Sequence, residues 1–160
     1  MFDTILILLL ALFGAMSSDS SLASAASACQ IQKMPGIESQ GMENWQVSIL
    51  KESKRKQEGD AFLGVDSSGK RCELELKSWG EALYLAKAAK PLVLVEQSDT
   101  DYTELTWIDP AACKILKNLR EVGRLTIGDA RLIFSGGQDG PDKIPSVKIS
   151  LNPECLPIGK

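Results

Sequence analysis

The chain has 160 residues, with 18 Lys and Arg against 21 Asp and Glu, four cysteines and no histidine. Without histidine, Ser-His-Asp triads, Cys-His pairs and every His-ligated metal site are excluded, so binding is a better expectation than catalysis. Setting aside Asp3 and Asp19 of the leading segment leaves 19 acids against the 18 bases, a balance that steers the protein neither toward nucleic acid nor toward acidic membranes.

Residues 5–16 form a short apolar run, followed by small and polar residues ending in Ala26-Ser27-Ala28, the A-x-A form cut by signal peptidases. The run is shorter than the roughly 20 residues of a membrane span. Residues 1–28 therefore read as a signal peptide, although residues 1–4 carry no Lys or Arg. Cys29, Cys72, Cys113 and Cys155 are an even set in an exported chain, which predicts two disulfides in any of three pairings. No C-x-x-C spacing supports a zinc site, and no metal or cofactor is expected.

Residues 29–43 are broken by Pro35, Gly36 and Gly41 and read as an extended or irregular N-terminal arm that offers little core burial. The remaining 44–160 read as one domain. Trp45, Val47 and Ile49 alternate with polar neighbours, the period of a half-buried strand. The basic stretch 51–56 is interrupted by Glu52 and reads as a solvated strand end or loop. A strand over 61–65 leads to the turn Asp66-Ser67-Ser68-Gly69, after which Cys72, Leu74 and Leu76 alternate with charged residues and put the Cys72 sulfur on the inward face. Residues 81–90 suit a helix by propensity or a strand by Leu83-Tyr84-Leu85. Strands over 92–95 and 102–108 follow, the second with Leu105 and Trp107 on one face. Asp109-Pro110 has the form of a helix start, and Ala112, Ile115, Leu116 and Leu119 fall at helical spacing, so a short helix is expected there. Leu125 and Ile127, a turn at Gly128-Asp129 and residues 132–134 predict a hairpin. Val147 and Ile149 form a last strand, with a Pro-containing tail over 152–160.

Many short strands with frequent turns predict a mainly β protein, a small antiparallel β-barrel with one or two short helices. Asp99, Asp101 and Glu104 read as a solvated acidic loop rather than an acid-base pair or calcium site. Residues 136–140 lack the Lys-Ser/Thr ending of a phosphate loop and read as a turn. Trp45 and Trp107 sit at inward strand positions and belong to the core. Trp79, beside Gly80 at an element boundary, is the tryptophan expected to be exposed.

Trp45, then Cys72-Glu73-Leu74-Glu75-Leu76, then Thr106-Trp107-Ile108-Asp109-Pro110-Ala111-Ala112-Cys113 with Leu116, Leu119, Leu125, Leu132 and Phe134 form an order that resembles the bacterial AprI/Inh metalloprotease inhibitors. The resemblance implies an eight-stranded barrel. Together with the inward position of Cys72, it implies a Cys72 to Cys113 disulfide, with Cys29 and Cys155 additional to the family's pattern. It further implies that the arm, Cys29, Gln30, Ile31, Gln32, Lys33, Met34 and Pro35, enters the active-site cleft of a secreted zinc metalloprotease, which supplies the metal. The competing reading is a periplasmic or surface interaction domain without inhibitory activity. Localisation is then periplasmic or secreted. A membrane is involved only if Ala26-Ser27-Ala28-Cys29 acts as a lipobox and Cys29 is acylated, giving an outer-membrane lipoprotein.

Overall fold

The alternating residues become strands, and long-range pairing decides the rest. A computed structural model describes residues 29–54, 59–136 and 145–159. The signal peptide reading, Ala26-Ser27-Ala28 of the lipobox, Arg55 and Lys56 of the basic stretch, and most of the 136–140 turn lie outside the described residues. Cys29 is described, and its sulfur is bonded to Cys155, which leaves no thiol there to acylate and corrects the lipobox reading. Three antiparallel sheets are present among the described residues. One holds β2 (Gln40–Met42), β3 (Trp45–Leu50), β4 (Ala61–Asp66) and β5 (Arg71–Glu75) in that order. The central sheet has the order β1-β6-β7-β8-β9, built from β1 (Gln30–Lys33), β6 (Trp79–Lys87), β7 (Leu92–Ser98), β8 (Tyr102–Asp109) and β9 (Lys114–Val122). The third is β10 (Arg124–Gly128), β11 (Arg131–Ser135) and β12 (Val147–Ser150). Each ladder among the described residues is open at both edges, and no closed barrel is detected.

The central sheet is covered on both faces. Leu92, Leu94, Leu105, Trp107 and Leu119 pack with Leu125, Leu132, Phe134 and Ile149 of the three-stranded sheet. From the other face Leu83, Val93, Val95 and Ile108 pack with Trp45, Val47, Ile49 and Phe62 of the four-stranded sheet. The unbroken apolar run Leu92-Val93-Leu94-Val95 follows from this, since a strand in a middle layer has no solvent face to make polar. Trp45 and Trp107 are buried and Trp79 is 60% exposed, as their positions predict. Two disulfides form, Cys72–Cys113 and Cys29–Cys155.

The short helix expected after Asp109-Pro110 is absent. Its cap does form, because Asp109 Oδ1 accepts the Ala112 N–H at 3.0 Å and the Cys113 N–H reaches the Pro110 carbonyl at 3.3 Å. The turn stops at Cys113, whose φ of 50° is left-handed and whose sulfur is bonded to Cys72. The chain then reverses into β9, which pairs with β8 from Asp109↔Lys114 to Tyr102↔Val122. A register shift between Trp107 and Ile108 turns Ile115 and Leu119 toward opposite cores, while Leu116 stays 40% exposed. For residues 81–90 the strand reading is the one realised, as β6. The only helical element among the described residues is a 3-10 turn, Glu52–Lys54. Gly123 links β9 to β10 at φ 105°, and a Cβ there would run into the Ser135 backbone, so this connection requires glycine.

Asp60 ties the four-stranded sheet to the central one. Its carboxylate accepts the Gly80 N–H at 2.9 Å, the Glu52 N–H at 2.9 Å and the Lys51 ammonium at 3.1 Å. Burial by itself would raise the Asp60 pKa, but the Gly80, Lys51 and Glu52 donors together outweigh it and hold the group below its ordinary 3.8. A carboxylate depressed in the folded state stabilises the fold above its unfolded pKa, and that stability is lost as pH falls through the folded value. Stability should therefore drop as pH falls below about 4. Asp60→Asn should flatten that acid limb in urea titrations taken at successive pH values. An unchanged slope would show that Asp66 and Asp109, also held below 3.8, carry the whole effect.

Candidate partner-binding site

The predicted arm is a strand. Residues 30–33 pair with β6 in the register Gln30↔Lys87 to Lys33↔Tyr84, and the Met34 N–H continues the ladder to the Leu83 carbonyl at 2.8 Å. The expectation of little core burial is corrected, since Cys29, Met34 and Met42 are buried and Ile31 packs against the core. The reason is the pattern of the segment: Cys29 and Ile31 face one core and Met34 the other, which places an extended chain along the exposed side of β6.

Because the Met34 N–H points to β6, the alternation of an antiparallel ladder turns the N–H and C=O groups of Gln32 and Gln30 the same way. Those of Ile31 and Lys33 point outward. No strand among the described residues covers that outer edge. Gln30, Gln32, Lys33 and Pro35 are exposed. The other edge of the sheet, β9, carries Lys114, Lys117 and Arg120, the kind of charged residues with which natural sheets blunt an edge. β1 carries Lys33 alone, lying 5.7 Å from the centre of the Tyr84 ring. Burial, then the hydrogen bond to Glu96 and its charge, push the Tyr84 phenol above its ordinary value of 10.0, so it remains a donor to Glu96 across the physiological range.

The start of β1 is pinned at Cys29, whose partner Cys155 lies 126 residues away. The segment expected to be a Pro-containing tail folds back to make this possible. The Cys155 N–H reaches the Asn152 carbonyl at 2.9 Å and the Ile158 N–H the Ser150 carbonyl at 2.9 Å, while Asn152 Oδ1 accepts the Leu156 N–H at 2.8 Å. Trp107 Nε1 donates to the Cys155 carbonyl at 2.7 Å inside the core. The seven predicted site residues are thus adjacent in one strand and its flanks, but Cys29 is held at the C-terminal turn.

A second feature lies toward the β9 edge. Lys77, Ser78, Asp99, Tyr102, Glu104 and Arg120 line a cavity of about 70 Å³. Glu104 belongs to the stretch expected to be a solvated acidic loop, and this is corrected: it sits within β8 and is only 7% exposed. Its burial was legible in part, since it shares a strand face with Thr106 and Ile108. Among the described residues no group of three or more Cys, Asp or Glu side chains is arranged to hold a metal ion. No described helix is long and apolar enough to cross a membrane. The two disulfides point to an oxidising, extracytoplasmic environment. Neither a scan against protein-family models nor searches of curated proteins and of solved structures returned a match to this chain.

Proposed function

We propose that this protein is an exported, non-catalytic binding protein that inhibits a secreted zinc metalloprotease, with β1 as the contacting strand. The observation that carries the reading is the outer edge of β1, where the backbone groups of Ile31 and Lys33 point away from β6 in an exposed strand anchored at Cys29. Protease clefts hold substrates as extended strands. A preformed, disulfide-anchored edge meets such a groove with backbone hydrogen bonds and little ordering entropy. This differs from the free plug that the AprI/Inh resemblance implies, because Cys29 is bonded to Cys155 and residues 30–33 are laddered to β6. Edge docking uses the same segment, Cys29 to Pro35, through the outward backbone groups of Ile31 and Lys33, without releasing it from β6. The protease supplies the metal, and the inhibitor works in the periplasm or outside the cell.

Lys33→Pro tests the mechanism. Its N–H points outward, so proline there removes a donor from the docking edge while leaving the β1–β6 ladder intact. Loss of that hydrogen bond and the ring's bulk should weaken inhibition by about ten-fold or more, with the melting temperature nearly unchanged. Equal inhibition by wild type and variant would rule out strand docking. If the wild-type protein inhibits no secreted metalloprotease, the reading that replaces it is an extracytoplasmic interaction domain using the same edge on another partner.

A further inference from the structure

Glu104 Oε1 and Asn118 Oδ1 are buried side-chain oxygens with no hydrogen-bond donor among the described residues. The β8–β9 register places Arg120 opposite Glu104 and Asn118 opposite Thr106, so both orphaned acceptors lie on one face of two adjacent strands. Arg120 faces Glu104 across the ladder but does not pair with it. Its guanidinium lies 4.1 Å from the centre of the Tyr102 ring and 3.9 Å from the Asp99 carboxylate. Lys77 lines the same cavity without an ion pair to Glu104. A buried carboxyl oxygen left without a donor is costly, and native structures rarely leave one so.

We propose that this cavity receives the ε-ammonium group of a lysine presented by a protein partner. Its volume, about 70 Å³, is well below the roughly 300–1,000 Å³ of pockets that enclose whole small molecules, yet sufficient for one head group. An ammonium is donor-only with three N–H bonds, which matches the unpartnered Glu104 carboxyl oxygen in a lining shared with Asp99, Ser78 and Tyr102. Lys77 and Arg120 line the cavity too, but Arg120 is engaged by Asp99 and the Tyr102 ring and Lys77 is exposed to solvent, so the unpaired charge at the site is the Glu104 carboxylate, which favours a cation over an anion. Tyr102, 41% exposed at the mouth, offers an aromatic face to the methylene stem. The site stands independently of strand docking, because β1 and β9 are opposite edges of the central sheet.

The test is an amide chemical-shift titration of the oxidised ¹⁵N-labelled protein, recovered after export, with N-acetyl-lysine methylamide; N-acetyl-norleucine methylamide serves as the control. Saturable shifts at Ser78, Tyr102, Glu104 and Arg120 are expected at about millimolar ligand, the strength of one charge-assisted contact. The norleucine compound should produce none. Glu104→Gln should weaken binding by about ten-fold or more. Lys77→Met, at an exposed position, should tighten it several-fold by removing a like charge. Shifts that never saturate, equal shifts with norleucine, an unaffected Glu104→Gln, or weaker binding by Lys77→Met would overturn the proposal, the cavity then being a water site or an internal ion-pair site.

Discussion

Replacing Cys29 and Cys155 together by alanine should lower the unfolding free energy by about 5 kcal/mol, the largest single loss expected for this protein. The bond spans 126 residues, and in the chain-entropy model the stabilisation grows with the logarithm of the closed loop. By the same relation Cys72–Cys113, spanning 41, contributes about 4 kcal/mol. The longer bridge has a structural consequence the shorter one lacks, since it clamps the first residue before β1 to the turn that follows β12. Denaturant unfolding of the double variant checks the magnitude, and hydrogen exchange checks the location. The Gln30, Gln32 and Met34 amides should lose protection before those of β7 and β8. A loss under about 1 kcal/mol would mean that the unfolded chain is already compact enough to hold its ends together.

Trp107→Ala should cost about 3–5 kcal/mol, the range for emptying a large aromatic site. Trp107 is fully buried among Leu94, Leu105, Leu119 and Phe134, where the three-stranded sheet closes over the central one. Its indole also donates to the Cys155 carbonyl at 2.7 Å, so two effects are combined in the alanine variant. Trp107→Phe separates them: it keeps most of the ring but strands the carbonyl, and should cost about 1–3 kcal/mol. Urea titrations of both variants decide the matter. If phenylalanine is neutral, the hydrogen bond adds nothing beyond packing. If alanine costs under about 1 kcal/mol, the site collapses around the gap, contrary to the close packing expected of an interior.

The acidic stretch shows where reading ahead of the fold fails for function. Asp99, Asp101 and Glu104 look alike in sequence. Asp99 is exposed and near Arg120 and Asp101 is exposed, while Glu104 is buried without a donor. Alternation within β8 puts Glu104 on the face of Thr106 and Ile108. Whether that face is covered depends on the four-stranded sheet, contributed by residues far earlier in the chain. The arm failed in the same way. Its broken, aperiodic sequence gives no strand signal, and Gln30–Lys33 becomes a strand because β6 offers it an unpaired edge.

Several features follow from local sequence alone. The alternation of Trp45, Val47 and Ile49 and the turn at Asp66-Ser67-Ser68-Gly69 arise between near neighbours. So do the hairpin at Gly128-Asp129 and the inward Trp45 and Trp107. Side-chain period and turn chemistry are set within a few residues, so they survive without knowledge of the fold. The tertiary structure decided the rest. Ala112, Ile115, Leu116 and Leu119 satisfy a helical period, yet Ala112 stays in the Asp109 turn and β8 recruits the other three into β9, because pairing with a long neighbouring strand and burial of Leu119 outweigh helix propensity. Which face of β7 and β8 would be covered, and by which sheet, depended on the same long-range packing. The Cys29–Cys155 pairing joins the two ends of the described chain, and only the packing that brings β1 beside the C-terminal turn selects it.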